Sequence, residues 1–452
     1  MKTIILGAGP AGYVCAIRAA QLGEKVLVID AAGEYGGVCL NRGCIPSKAL
    51  IHASSVYDEM KHAKEFGVSY EKASLDLAAM MSWKEGVVGK LTQGVAGLLK
   101  ANGVTYKKGK AKFLSPGVLD VAGERITYRK VVIATGSSPR HIFPIDQEVI
   151  VDSTGALHCL RVPKNVVCIG GGYIGLELGT FYSKIGSHVT VLEAGARLLN
   201  GMDPDLTAVV QKKLEKRGVQ IILNAKLGSV TRHGSQAHIE LAGEILKADR
   251  VLVTVGRVPN TSDLGLASVG ITLDAAGFIP VNASRQTVNP DIYAIGDVAG
   301  QPLLAHKGSK EGLVAAEAIA GKKTVYDVKA MPAVVFTDPE IATVGFTADE
   351  VKTQGRAPDV SVFPFAANGR ALSLGETDGF VKIISHAGII EGVHIVGPGA
   401  SNLIAEAALA IEIGARVEDL SLTVHPHPTL SEALMEAAEV GMGHPIHIFK
   451  KK

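Results

Sequence analysis

Cysteine is scarce in this chain. Five in 452 residues cannot staple a secreted, disulfide-built scaffold of that size. Neither sign of charge prevails: 46 Lys and Arg against 44 Asp and Glu leave +2, which argues against nucleic acid or an anionic membrane as partner. No apolar run reaches the roughly 20 residues that a membrane span requires. Met1-Lys-Thr-Ile-Ile-Leu6 has the look of a secretory leader, but its charged region is one lysine. Gly7-Ala-Gly-Pro-Ala-Gly12 then interrupts the apolar run. A cytoplasmic protein is expected, although a processed organellar enzyme would read the same. Aromatic residues are few at 5%, whereas glycine is plentiful at 52 residues and hydrophobic residues reach 47%. That balance suits an α/β chain with many tight strand–helix turns, long enough for about three domains.

What the chain does have is organised around two glycine turns. Residues 3–6 read as a buried strand, 11–22 as a helix, and 25–29 as a second strand closing on Asp30. Gly7, Gly9 and Gly12 lie between the first strand and the helix. Their spacing lets a diphosphate approach the N–H groups of a helix N-terminus. Asp30 stands where an acid accepts hydrogen bonds from ribose hydroxyls. The pattern recurs at Gly170, Gly172, Tyr173, Ile174 and Gly175, with a helix to about Ile185, a strand at His188–Leu192, and Glu193. In both places 23 positions separate first glycine from acid, Gly7 from Asp30 and Gly170 from Glu193. Equal spacing points to two dinucleotide sites. A carboxylate at Glu193 suits a 2′-hydroxyl and repels a 2′-phosphate, so NAD is expected there rather than NADP. Val131–Gly136 and Val251–Gly256 echo one another as short apolar strands closing on glycine.

Cys39 and Cys44 lie five positions apart, followed by Pro46 and an apolar run that reads as a helix. Five residues of ideal helix rise ~7.5 Å, beyond the usual Cα separation of a disulfide. A bonded pair would therefore need Cys39 in an irregular turn, for which Gly36, Gly37 and Gly43 supply the freedom. Spacing alone leaves structural thiols, half a metal site and a redox pair all open. The whole string, Gly36-Gly-Val-Cys-Leu-Asn-Arg-Gly-Cys-Ile-Pro-Ser-Lys-Ala-Leu50, resembles the redox-active segment of the pyridine nucleotide–disulfide oxidoreductases. It is most similar to the branch that oxidises dihydrolipoyl groups. The resemblance implies a Cys39–Cys44 disulfide beside FAD and no metal, with Cys39 as exchange thiol and Cys44 facing the flavin.

The resemblance continues in order along the chain. Ala134-Thr135-Gly136 resembles the family's ATG segment, and Ile292-Tyr-Ala-Ile-Gly-Asp297 its second flavin-contacting motif, which Ala305-His306-Lys307 extends. Read locally, Asp297 is equally a helix N-cap. Lys48, one turn beyond Cys44, reads as a surface lysine or as a cation serving a thiolate. The resemblance implies a place beside the isoalloxazine, paired with Glu177. Tyr173 either shutters the nicotinamide pocket or simply packs. Near the end, His425-Pro-His427-Pro-Thr-Leu-Ser-Glu432 resembles the family's catalytic His-Glu motif. Imidazole suits proton exchange with a thiol near neutral pH. Glu432 either orients His427 or closes a capping box with Thr429. Two departures stand out: Pro426 replaces a small residue, and Arg42 an apolar one.

The implied fold is α/β, with two Rossmann-like dinucleotide-binding domains, for FAD and NAD, plus a C-terminal α+β dimerisation domain. Expected boundaries are 1–142 for the FAD domain with the redox cysteines, 143–264 for the NAD domain, 265–330 for a central segment completing the FAD site, and 331–452 for the interface domain. Cys39, Cys44, His427 and Glu432 are the expected catalytic residues. Gly7, Gly9, Gly12, Asp30, Lys48, Thr135, Gly136, Asp297 and Ala305 are expected at FAD; Gly170, Gly172, Tyr173, Ile174, Glu177, Glu193 and Gly256 at NAD. The implied activity oxidises protein-bound dihydrolipoyl groups and reduces NAD. Its implied partners are a lipoyl-bearing protein of a 2-oxoacid dehydrogenase or glycine cleavage complex, and a second copy of the chain, across which the His427 motif reaches the disulfide. Glutathione, trypanothione and mercuric reductases share much of this pattern. Glu193 argues against the first two, and the cysteine-free C-terminus argues against the third. Flavin transhydrogenases and NADH oxidases tend to lack a cysteine or the His-Glu motif.

Overall fold

The computed structural model describes residues 2–449; Met1 and Lys450–Lys452, the last of which end the expected interface domain, lie outside the described residues. Lys2–Leu6 (β1) and Val26–Asp30 (β2) are apolar strands buried on both faces, as a parallel sheet requires. Pro10–Gln21 (α1) crosses between them, with proline in its first turn, where a missing N–H costs nothing. Three helices follow, Gly37–Arg42 (α2), Cys44–His62 (α3) and Leu77–Ala101 (α4). The sheet is completed by Thr105–Lys108 (β3), Ala111–Ser115 (β4), Val118–Val121 (β5) and Glu124–Ile133 (β6), in the order β3-β2-β1-β6-β5-β4. Strand Ile292–Ala294 adds to β6 from far along the chain.

Two features differ from the sequence pattern. β3, Thr-Tyr-Lys-Lys, carries no apolar run of the kind a parallel strand usually shows, yet it pairs in parallel with β2, Leu27 opposite Thr105. The Val131 strand is the end of the longer β6. That strand is antiparallel to β5 over Glu124–Thr127 and parallel to β1 over Lys130–Ile133. Its polar first half and apolar second half record those two environments.

The chain divides into two compact units, one of residues 2–147, 151–161 and 255–327, the other of 148–150, 162–254 and 328–449. The second unit repeats the parallel motif. Strands Gln220–Ile222, His188–Leu192, Asn165–Ile169 and Arg250–Val253 lie side by side in that order, and helix Tyr173–Lys184 connects the middle two. Residues 328–449 build a five-stranded antiparallel sheet carrying helices Ala400–Ile413 and Glu432–Gly441. Its central strand, Ile389–Gly397, escapes a periodicity reading because it is buried almost throughout and so does not alternate. Phe363, Phe365, Ile383, Ile395 and Ala437 share the core there.

Ion pairs join the two parts of this unit. Asp338 takes Lys184 at 2.9 Å and Arg217 at 3.0 Å, and Lys382 lies 2.9 Å from Asp203 and 2.6 Å from Asp205. Burial opposes the charge on Asp338 and Asp203, but their cationic partners outweigh it and hold both carboxyls below the usual range. No described helix is long and apolar enough to cross a membrane.

Candidate active site

The two glycine turns match atom for atom. Gly7 and Gly170 have φ of +108° and +102°. A Cβ on Gly7 would stand 2.3 Å from the Ala134 carbonyl oxygen, and one on Gly170 2.6 Å from that of Thr254. The third glycine is pressed against the first: a Cβ on Gly12 would lie 2.0 Å from Gly7 O, and on Gly175 2.2 Å from Gly170 O. Only glycine fits at these positions. The acids follow the same rule. Asp30 Oδ2 accepts the Ala8 N–H at 3.0 Å and Oδ1 those of Ala32 and Gly33 at 3.0 and 2.9 Å. Glu193 Oε2 accepts the Gly171 N–H at 2.7 Å and Oε1 that of Gly195 at 2.6 Å. Each acid is thus clamped to the residue after the first glycine. Gly9 and Gly172 cap their helices without any side-chain hydrogen bond, so first-turn N–H groups face outward for an anion. Both turns fit a dinucleotide diphosphate. At the second, Tyr173 is exposed and Ile174 half-buried, together opening the helix.

The redox segment is seated on the first turn. Gly36 N–H donates to Ala8 O at 2.9 Å, and a Cβ on Gly37 would come within 2.6 Å of Gly9 Cα. Asn41, a fixed position of the same string, donates its amide to Tyr35 O at 2.9 Å and Gly37 O at 2.8 Å, closing the turn that starts α2. The irregularity that a bonded pair would need falls between the two cysteines rather than at Cys39. Cys39 lies on α2, and the chain breaks at Gly43 (φ −146°, ψ −111°) before Cys44 opens α3. That break replaces continuous helical rise and brings the two sulfurs together. The two side chains are in hydrogen-bond contact, with Cys39 half-buried and Cys44 exposed. The contact and burial push the Cys39 thiol up, while Lys48 pulls it down. Arg42 is held 2.5 Å from Glu34. Among the described residues no group of three or more His, Cys, Asp and Glu is arranged to hold a metal ion.

The remaining flavin candidates gather in the same unit. Lys48 is half-buried on α3. Thr135 Oγ1 donates to Asn260 O at 2.7 Å, and Gly136 O accepts the Asn260 N–H at 2.9 Å. Asp297 lies in the short turn Gly296–Ala299, its Oδ2 2.5 Å from Ser137 Oγ, and Ala305 begins helix Ala305–Ile319. Gly256 also belongs to this unit, its carbonyl accepting from Arg140 N–H at 2.9 Å. Glu177 belongs to the other, where it is buried and accepts the Phe336 N–H at 2.9 Å.

One group near Asp297 is missed by sequence reasoning. Glu311, wholly buried, accepts the Gly296 N–H at 2.7 Å and pairs with Arg285 at 2.9 Å and Lys307 at 3.3 Å. Its signal was the four-residue step from Lys307 on an otherwise small-residue helix face.

In the second unit His427 is exposed and its Nδ1 donates to Glu432 Oε1 at 2.8 Å. Glu432 Oε2 accepts the Thr429 N–H at 2.7 Å, so one carboxylate both orients the imidazole and closes the helix start. Burial works against the Glu432 charge, but the Thr429 N–H and His427 outweigh it and hold the carboxyl below its usual range. The Glu432 contact engages Nδ1 and not Nε2 of the His427 ring. His425, two residues earlier, is instead tied at both ring nitrogens, to Thr423 O at 2.8 Å and Glu406 at 2.9 Å.

A cysteine pair seated on one of two dinucleotide turns defines a disulfide oxidoreductase that works with nucleotide cofactors. The chain belongs to the pyridine nucleotide-disulphide oxidoreductase family, whose model matches residues 1–312, with the family's dimerisation domain at 331–438. A dihydrolipoyl dehydrogenase of Geobacillus stearothermophilus is 49% identical over 462 aligned residues, covering 100% of this chain and 98% of that protein. One of Bacillus subtilis is 48% identical, covering 99% and 98%. Among solved structures, LpdA from Mycobacterium tuberculosis has a TM-score of 0.91 at 29% identity, over 97% of this chain and 99% of that one. The HOCl-induced flavoprotein disulfide reductase RclA from Escherichia coli has a TM-score of 0.88 at 27% identity, over 97% and 100%.

Proposed function

We propose that this chain is a dihydrolipoyl dehydrogenase, oxidising the dihydrolipoyl group of a 2-oxoacid dehydrogenase or glycine cleavage complex and reducing NAD. The observation that carries the reading is the Cys39–Cys44 pair, in mutual contact and seated by Gly37 against the Gly9 turn. Gly7, Gly9, Gly12, Asp30, Lys48, Thr135, Gly136, Asp297 and Ala305 would hold FAD, and Gly170, Gly172, Tyr173, Ile174, Glu177, Glu193 and Gly256 would hold NAD. Glu193 favours NAD because its carboxylate, fixed on the Gly171 and Gly195 N–H groups, repels a 2′-phosphate.

The protein's own part is thiol–disulfide exchange. His427, oriented by Glu432, takes the proton of one dihydrolipoyl thiol at Nε2. The resulting thiolate attacks Cys39 of the Cys39–Cys44 disulfide; that bond breaks and Cys44 leaves as thiolate. The second dihydrolipoyl thiol, deprotonated in turn, attacks the substrate sulfur bound to Cys39. Lipoyl closes, and Cys39 is expelled as a thiolate that takes up the second thiol's proton while His427 keeps the first; two electrons now reside in the cysteine pair. Retention of the proton on Cys39 agrees with the upward push on its thiol. FAD and NAD, when bound, supply the two-electron acceptors that return the cysteines to the disulfide.

A homodimer fits the reading. Leu409, Ile413, Leu422 and Val424 are exposed in the domain matched to the family's dimerisation module, an apolar face that a second copy would cover. A reducing cytoplasm suits an enzyme whose Cys15 and Cys168 are buried thiols, both pushed up to about 12 by burial. The test is a steady-state assay of dihydrolipoamide with NAD and with NADP, and of oxidised glutathione with NADPH. Turnover of dihydrolipoamide with NAD supports the proposal; turnover of glutathione alone rejects it.

A further inference from the structure

The Asp297 carboxylate is held from one side by a chain of two groups, a hydroxyl and behind it a guanidinium. Arg257 Nε donates to Ser137 Oγ at 2.7 Å, and Ser137 Oγ donates to Asp297 Oδ2 at 2.5 Å. A second guanidinium nitrogen, Nη2, donates to the Ser137 carbonyl oxygen at 2.6 Å. Ser137 is buried, 2% exposed, so water does not compete for its hydroxyl. A hydroxyl that accepts from a cation and donates to an anion has its proton fixed in one direction, and each link strengthens the other. Asp297 Oδ2 is therefore committed, its side-chain torsion is set, and Oδ1 is presented in one orientation.

The clamp is built into the fold. Residues 137–139 and 257–259 form a two-stranded antiparallel ribbon, Pro259 opposite Ser137 and Arg257 opposite Pro139. Asn260 ties the ribbon again, its Nδ2 donating to Thr135 O at 2.9 Å and its Oδ1 accepting from Ser138 Oγ at 2.7 Å. Arg257 follows Gly256 directly, at the point where the chain leaves the second parallel sheet and re-enters the first unit. One segment thus ends the second dinucleotide-binding half and braces the acid of the first.

We propose that Ser137 and Arg257 are positioning residues of the flavin site, holding Asp297 so that Oδ1 meets a flavin hydroxyl. This rests on Asp297 being a flavin ligand, as in the reading above. Neither Ser137 nor Arg257 is assigned contact with the cofactor; both act through Asp297.

The experiment measures the FAD dissociation constant of flavin-stripped full-length protein, by quenching of flavin fluorescence, for the wild type and for Ser137→Ala, Ser137→Thr, Arg257→Lys and Asp297→Ala. Losing a hydrogen bond to a charged group predicts about tenfold weaker FAD binding for Ser137→Ala, with Ser137→Thr close to the wild type because it restores the hydroxyl. Arg257→Lys keeps the charge but not the paired donors, and should weaken binding similarly. In the Asp297→Ala background, Ser137→Ala should add nothing, since the two act as one unit. Wild-type affinity in Ser137→Ala, with weakened binding in Asp297→Ala, overturns the inference and leaves Asp297 a ligand. Wild-type affinity in Asp297→Ala overturns the ligand reading itself. If Ser137→Ala does not fold, Arg257→Lys decides: wild-type affinity there also overturns the clamp.

Discussion

Glu432 spends one oxygen on His427 and the other on the Thr429 N–H, so a single carboxylate both orients the imidazole and closes the helix start. Glu432→Gln keeps an acceptor for one partner and loses the charge that complements imidazolium. The expected result is a fall in kcat for dihydrolipoamide oxidation on the order of 10²-fold, within the usual range for disabling a general base, with flavin still bound. An unchanged kcat in the steady-state assay would remove Glu432 from the mechanism. The sequence left both uses of Glu432 open, and geometry accommodates both because they fall on different oxygens. The contacts of Ser137, Arg257 and Glu311 were illegible for another reason, although Arg257, with Pro259 and Asn260, resembles the family's close of the NAD domain. Each acts on a group more than one hundred positions away or through a buried contact, and no local spacing records such pairing except Lys307 to Glu311.

At the scale of elements, the first and third glycines of each turn are forced by backbone approach. Gly175→Ala would drive a methyl into Gly170 O, 2.2 Å away. Relief must come from moving the helix start off its strand, at a cost of about 1–3 kcal/mol. The KM for NAD should rise about tenfold or more, with the yellow flavin kept, because the Gly7 turn is untouched. A wild-type KM would mean that the second turn does not carry the nucleotide. The βαβ repeat was legible because alternating elements, glycine spacing and terminal acid agree in both copies. Two elements were not. Ile389–Gly397 lacks alternation because both of its faces are covered, and β3 carries so few apolar residues that its parallel partner cannot be inferred.

At the scale of the molecule, the second unit relies on charge where its two parts meet. Asp338→Asn removes the carboxylate that Lys184, only 7% exposed at its side chain, shares with Arg217. Because a third of Asp338 is itself exposed, the expected loss is discounted to about 1–3 kcal/mol at neutral pH. The sign in acid follows from the depressed carboxyl. Its contribution is complete above the ordinary value of 3.8 and disappears as pH falls through the lower folded value. Thermal unfolding of wild type and Asp338→Asn should therefore differ most at neutral pH and converge in strong acid. Equal Tm at neutral pH would show the pair to be energetically idle.

The central claim is that Cys39 and Cys44 are the two-electron exchange point between thiol substrate and nucleotide. The most direct measurement is anaerobic treatment of the oxidised, flavin-loaded protein with one equivalent of dihydrolipoamide per chain, followed by alkylation and mass mapping of all five cysteines. Cys39 and Cys44 should be alkylated only after the dithiol is added, and protected again once NAD is supplied. Alkylation of either cysteine before reduction, or none after it, would contradict the account.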